Sequence, residues 1–411
     1  MGILTRGTMN HYGTRHWKIG TVLFLGAIAL HGQNVGQRWH RLDSRMGAKA
    51  ASGLRARANY TIPPPNAAGT FVIFDVPGAV NGTSPSAVSE DGLITGTYGD
   101  NVGSGTHSFV RKHDGSFDTF DVPGAVNGTF ASTINEGGIV AGIHGDNIGS
   151  GYHGFVREHD GTFVTFDVSG SLYLTVNGIN SEGAVIGSWY DANFVQHSFV
   201  RSREGELLTF DAPSSANGSL PSQITEGGTI LGVSDPFGAG YGFARDRSGT
   251  FNEVLGPGGL GGQYDLYSLG FGAALSTNDR GEVAGTYFLP ISGNPFGGDY
   301  EVFIRSKDGE YTAFNAANYS PCCIFSSPSG INATGKVAGF LNDGFGIYRG
   351  FFWTREGGVA IFDAPGAGTG VYQGTIPVGI TSQDEVVGSF VGPNDGNFFG
   401  LHIGHGFIFR P

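Results

Sequence analysis

Cysteine is almost missing from this chain: 411 residues hold two, and they are neighbours, Cys322-Cys323. Adjacent cysteines cannot staple distant parts of a fold, so the architecture does not rest on disulfides. A vicinal bridge in an oxidising compartment or two free thiols are the readings left. Lysine is scarce as well (Lys18, Lys49, Lys112, Lys307 and Lys336), and the net charge is −12. A nucleic-acid surface needs Lys and Arg to displace counterions from phosphates, which excludes that partner class. Charged residues make up only 14 % of the chain, yet 12 % are aromatic, enough to fill a core, so a disordered chain is excluded too. The apolar run Ile19 to Leu30, preceded by Arg15 and Lys18, is too short to span a bilayer. Also missing are a Gly-x-Ser-x-Gly elbow, a P-loop, His-Glu-x-x-His and paired Cys-x-x-Cys. Their absence removes the commonest hydrolase, nucleotide and zinc readings.

What is abundant is glycine, 73 residues, and it recurs with a period. Gly-Thr-Phe-Val-Ile-Phe-Asp (69–75) returns as Gly-Ser-Phe-Asp-Thr-Phe-Asp ending at Asp121 and Gly-Thr-Phe-Val-Thr-Phe-Asp ending at Asp167. Its second aromatic position continues at Phe210, Leu255, Phe314 and Phe362. Steps of about 46 residues built from short alternating runs predict four-stranded propeller blades. Three segments follow: a signal peptide or membrane anchor over 1–33, an Arg- and Pro-containing disordered linker over 34–68, and a repeat domain over 69–411.

Each repeat holds four runs. The first ends in steps such as Ile134-Asn135, Ile179-Asn180 and Ile331-Asn332, with Gly138, Gly183 and Gly335 three residues on, a turn signature. The second carries glycine at one fixed place (Gly96, Gly142, Gly187, Gly232, Gly285, Gly339, Gly388), which implies that something packs very close there. The aromatic of the third run is the obvious neighbour, as in His107-Ser-Phe-Val-Arg and His153-Gly-Phe-Val-Arg. The fourth run is the Phe-Asp phrase. Because the repeats begin with a fourth run (69–75) and end with a third (405–410), the expectation is an all-β, seven-bladed β-propeller. The N-terminal strand 69–75 closes it by pairing with the C-terminal strand 405–410, which removes two open sheet edges.

The pattern Gly178-Ile179-Asn180-Ser181-Glu182-Gly183, then Val185-Ile186-Gly187, then His197-Ser198-Phe199 resembles the bacterial HAF repeats of predicted extracellular proteins. The stretch Leu255 to Gly262 is similar to the leucine–glycine tail of those repeats. The resemblance spans roughly residues 69–410 and departs at the middle of the His-x-Phe step, which is Ser, Gly or Val rather than Ala. It implies export to the bacterial cell surface, periplasm or medium and a repeat architecture, and carries no catalytic residues with it.

Turns between the first and second runs, and between the third and fourth, hold their length, while insertions fall in the other two connections, at 256–270, 288–300, 315–328 and 391–404. Variable loops on a rigid scaffold mark the expected working surface. Ligand-binding candidates there are Tyr264, Asp265 and Tyr267, then Phe296, Asp299 and Tyr300, then Asn394, Asp395, Asn397, Phe398 and His402. Aromatic faces stack on the apolar C–H surface of sugars while Asp and Asn bond hydroxyls, so a polysaccharide or surface glycan is the leading ligand class. A glycoside hydrolase or polysaccharide lyase at the same place is the alternative, and a structural or adhesive protein the second. The recurring third-run histidines read as structural, bonding a neighbouring backbone, and the Arg residues that follow them as lying on the blade surfaces. No cofactor is called for: Asp100-Asn101, Asp146-Asn147 and Asp191 could offer oxygens to calcium but match no calcium-loop spacing, and Asx residues make good turns.

Overall fold

The alternating runs fold as short strands, and no helix occurs among the described residues. The computed structural model describes residues 65–411, apart from 102–104, 147–150, 235–240, 258–274, 292–293, 317–324, 343–345, 396, 399–400 and 403. Each repeat gives its four runs, in chain order, to one antiparallel group. Group one is Thr83–Val88, Ile94–Gly99, Thr106–Arg111 and Phe117–Phe120; group two is Thr129–Ile134, Val140–Gly145, Tyr152–Arg157 and Phe163–Phe166. Group three is Tyr173–Ile179, Val185–Tyr190, Gln196–Arg201 and Leu207–Phe210; group four is Ser219–Ile224, Ile230–Ser234, Gly242–Arg245 and Phe251–Val254. These four are separate four-stranded sheets.

The remaining repeats share a mixed sheet of twelve strands. Its fifth group is Ser276–Thr277, Val283–Ile291, Asn294–Arg305 and Tyr311–Phe314, and its sixth is Phe325–Ile331, Val337–Asn342, Tyr348–Thr354 and Gly358–Phe362. The seventh combines Gly374–Ile380, Val386–Val391 and His405–Arg410 with the N-terminal Thr70–Phe74. Single parallel pairings, Tyr300 with Phe325 and Tyr348 with Gly374, join the three groups. The terminal strands pair as expected, antiparallel, with Thr70 opposite Arg410 and Phe74 opposite Gly406.

The fixed glycine of the second strand exists because two things crowd it. A Cβ on Gly142 would stand 2.1 Å from the Phe130 carbonyl oxygen and 2.9 Å from the Phe155 ring. The third-run aromatic is that neighbour throughout: Phe109, Phe155, Phe199, Phe243, Phe303, Phe351 and Phe407 are wholly buried. Burying one such ring contributes about 3 kcal/mol. The core lies between successive groups, as where Phe130 and Ile143 of group two pack with Leu174, Val185 and Phe199 of group three.

A bulge recurs between first and second strands in groups one to four, six and seven, leaving one residue of the first strand unpaired. That residue is turned to the next group. Ser86 donates to the Ala131 carbonyl at 2.7 Å, Asn177 to Pro221 at 2.7 Å, Ser222 to Leu275 at 3.0 Å and Ser329 to Pro377 at 2.7 Å. A second series runs through the Ile-Asn steps: Asn135 Nδ2 donates to Asn180 O at 2.9 Å, Asn278 to Asn332 at 2.9 Å and Asn332 to Thr381 at 3.0 Å. The Ser382 N–H donates to Glu90 O at 3.1 Å and ties group seven to group one.

Three of the Arg residues of the third runs are not on the sheet surfaces where the sequence placed them, while Arg111 and Arg305 are half-buried. Arg157, Arg201 and Arg245 are buried, and the guanidinium of Arg157 lies 4.6 Å from the ring centre of Phe120, that of Arg245 4.7 Å from Phe210. A planar cation with a weakly hydrated face can enter such a seam where an ammonium could not.

Candidate functional site

Antiparallel order puts the connections between second and third strands, and those from each fourth strand to the next group, at one end of the sheets. The third-run histidines open their strands at this loop end. Each takes the Asp that follows the fourth strand: His107 Nδ1 lies 2.7 Å from Asp121, His153 2.6 Å from Asp167, His197 2.8 Å from Asp211 and His405 2.8 Å from Asp75. The other ring nitrogen faces the Asp that follows the second strand, at 3.0 Å for His107 and Asp100 and 3.1 Å for His153 and Asp146. His197 and His405 keep looser partners, Asp191 at 3.9 Å and Asp395 at 3.6 Å.

Burial alone would push the His107, His153 and His405 imidazoles down. Hydrogen bonds and charge from their paired aspartates outweigh it and hold all three above the ordinary value of 6.5. A ring with both nitrogens on carboxylates has none left for a substrate proton. The histidines are therefore clamps, though their partners are side chains rather than the backbone groups expected. The aspartates weighed as calcium ligands, Asp100 and Asp146, are held by the same clamps.

Where the histidine is replaced, the clamp changes chemistry. Tyr241 of group four donates to the Pro213 carbonyl, and Glu301 of group five accepts from Tyr287 at 2.6 Å. In group six Arg349 lies 3.4 Å from Asp363, whose carboxyl is pushed up by burial against the opposing pull of that arginine.

Where they are described, the predicted site residues lie on separate elements. Tyr264, Asp265 and Tyr267 lie outside the described residues. The insertion at 288–300 is no loop: it extends two strands of group five into a long hairpin, with Phe288 opposite Tyr300 and Leu289 opposite Asp299. Its Tyr, Phe and Ile content suits a strand better than a turn, which explains the difference. Phe296 and Asp299 therefore sit in the strand Asn294–Arg305, and the Tyr300 ring packs 5.3 Å from that of Phe325. Asn397 pairs with His402 and Phe398 with Leu401 in a separate small hairpin. Asn394 is exposed in the turn before it, whereas Asp395 accepts from the Gly392 N–H and faces His405, the place that Asp100 takes beside His107.

Other side chains at this end are more open. Val80, Val126, Leu172 and Val371 are exposed in connections between groups, with Phe194 and Tyr372 exposed by 56 % and 52 %. Phe194 and Tyr372 each hold a φ of 62°, a region L side chains rarely adopt. Gly105 and Gly151 supply the positive φ in the connections of groups one and two that match the one carrying Phe194. Sequence reading passed over these residues because it looked for insertions.

No family model matches this chain, and no curated protein does. Solved structures do. A streptogramin B lyase is 12 % identical, covering 83 % of this chain and 97 % of its own, with a TM-score of 0.52. A catalytically inactive virginiamycin B lyase from Staphylococcus aureus with quinupristin is 13 % identical over 84 % of this chain and all (100 %) of its own, also at 0.52. The β-propeller domain of the Trilobed protease from Pyrococcus furiosus is 10 % identical over 76 % of this chain and 92 % of that one, at 0.49. The fold is a β-propeller. At these identities the likeness carries the fold alone, and nothing of the lyase or protease activities.

The opposite, turn end of the propeller carries a polar crevice of about 390 Å³ lined by Arg280, Glu282, Lys336, Arg355 and Glu356 among others. Its cations are engaged across neighbouring groups: Arg355 lies 3.4 Å from Glu282 and Lys336 2.5 Å from Asp384. Arg203 with Glu158 at 3.2 Å and Arg247 with Glu182 at 2.5 Å repeat this arrangement elsewhere on the same end. The crevice is thus one of a series of clamps between successive groups.

Proposed function

We propose that the chain is a seven-bladed propeller, closed by its terminal strands, that is exported and binds a ligand through its loop end. Three observations support closure: the antiparallel pairing of Thr70–Phe74 with His405–Arg410, the hydrogen bonds stepping from group to group, and the Ser382 bond back to Glu90. One observation carries the binding reading. At the loop end the histidines and aspartates are mutually engaged, while Phe194, Tyr372, Val80, Val126, Leu172 and Val371 are left facing solvent. Apolar side chains gathered at one end of a scaffold mark a recognition surface. Phe194 stands beside the exposed Asn193, while Asp191 is taken up by N–H groups of the turn, so a ring face and an amide are offered together, which suits a carbohydrate. The family resemblance and the basic, apolar N-terminal stretch support export.

The test is a glycan array probed with residues 60–411, followed by titration of any hit against Phe194→Ala and Tyr372→Ala. Loss of one stacking ring contributes roughly 1 kcal/mol, so a five- to tenfold weakening is expected for at least one variant. Saturable binding that neither variant changes would move the site away from the loop end. Silence on every glycan would turn the reading to a protein partner or a structural surface role.

A further inference from the structure

One buried titratable group takes no part in the clamps. His144 is the last residue but one of the second strand of group two and is 5 % exposed, and neither of its ring nitrogens has a hydrogen-bond partner among the described residues. It sits opposite His153 across the strand pair, ring centres 5.3 Å apart. The same cross-strand place is filled by Tyr98 over His107, Trp189 over His197 and Phe390 over His405. An aromatic ring there serves as a lid on the clamp. Only in group two can that lid itself take a proton.

The surroundings resist that proton. From the third strand of group two His153 shares its face, whereas Tyr152, opposite Gly145, lies on the other face and packs there with Tyr173 of group three; on the side of group one, Asp118 is already paired with Arg157 at 2.8 Å. The first strand of group two, Thr129–Ile134, brings no ionisable side chain. Asp146 and Asp167 are the nearest carboxylates, and both are already bonded to His153, at 3.1 and 2.6 Å. A charge on His144 would lie buried, without an acceptor among the described residues, beside an imidazole whose proton two carboxylates hold more tightly than usual.

We propose that His144 is an acid-sensitive catch: its protonation loosens the loop-end half of group two, where the second and third strands meet. Burial, followed by the charge of His153, holds the His144 pKa below the ordinary 6.5, against a smaller upward pull from Asp146 and Asp167. The sign follows. With a depressed folded pKa, the stability His144 contributes is present above 6.5 and is lost as pH falls through its folded value. The paired histidines have the opposite sign, so the second group is pulled two ways on acidification.

The experiment compares the full chain with His144→Phe, which installs the ring that group seven uses. Urea unfolding near pH 5 and about pH 8 should show a stabilisation by the variant that is larger in acid. Each unit of pKa depression is worth about tenfold in the folding equilibrium. Hydrogen exchange over 140–157, corrected for the intrinsic rate, should rise in acid for the parent and stay flat for the variant. An equal gain at both pH values would overturn the proposal, as would acid-independent exchange in the parent. If the variant fails to fold, imidazole NMR on the parent decides: a His144 titrating at or above the ordinary histidine value sinks the catch, and one titrating well below it upholds it.

Discussion

At the scale of single residues, the clamps make stability depend on pH in a direction opposite to acid denaturation. His107 holds its proton more tightly folded than unfolded, so its contribution is complete below 6.5 and is lost as pH rises through the raised folded value. Replacing it in His107→Ala should cost about 1.5–3 kcal/mol near pH 6, the range for hydrogen bonds to charged groups, and clearly less by about pH 9. Paired urea titrations would read this, and a pH-independent loss would mean the ring acts by packing alone. The second-strand glycine makes a sharper prediction. In Gly142→Ala the new methyl meets a backbone oxygen as well as the Phe155 ring, so a loss of about 3 kcal/mol or more is expected. Adding Phe155→Leu should not restore the melting temperature, because the Phe130 carbonyl stays where it is.

Among the elements, Thr70–Phe74 is the one whose removal should matter most. It covers the edge of His405–Arg410 and brings Asp75 to His405 at 2.8 Å. The segment before it is fastened separately: the Asn66 and Ala67 N–H groups both donate to the Ile361 carbonyl, and the Ile361 N–H donates to Asn66 Oδ1 at 2.8 Å. Deleting residues 65–75 should leave two strand edges open and drive aggregation, seen as loss of the monomer peak on size-exclusion chromatography. Asn66→Ala should cost only about 1 kcal/mol by urea titration. The four-run grammar, the glycine–phenylalanine contact and the pairing of the terminal strands were legible in the sequence, because each follows from a local pattern repeated in phase. The bulges were not. A Ser86 or Asn177 left out of its own ladder has a meaning only once the next group's carbonyl is in place. The hairpin at 283–305 was hidden for a related reason: insertion length was read as a loop, although its residues are strand formers. Phe194 and Tyr372 were hidden by a search for added residues.

For the whole molecule, the bonds from each group to the next argue against independent units. Asn135 reaches group three, Asn332 reaches group seven, and Ser382 reaches group one. Repeat proteins whose units lean on their neighbours unfold together while the interfaces hold. Calorimetry on residues 60–411 should therefore give one transition with matching calorimetric and van't Hoff enthalpies; two resolved transitions would separate the twelve-stranded sheet from the four others. The pairing of the terminal strands also sets a timetable. The strand Thr70–Phe74 is the earliest to be synthesised and its partner His405–Arg410 the latest, so Asp75 waits for His405 through 330 residues of translation. At about 5–20 residues per second that wait lasts roughly 15–65 s. Through all of it Phe71 lacks the Phe407 and Phe409 rings it packs against, and the seventh group stays without its closing strand pair.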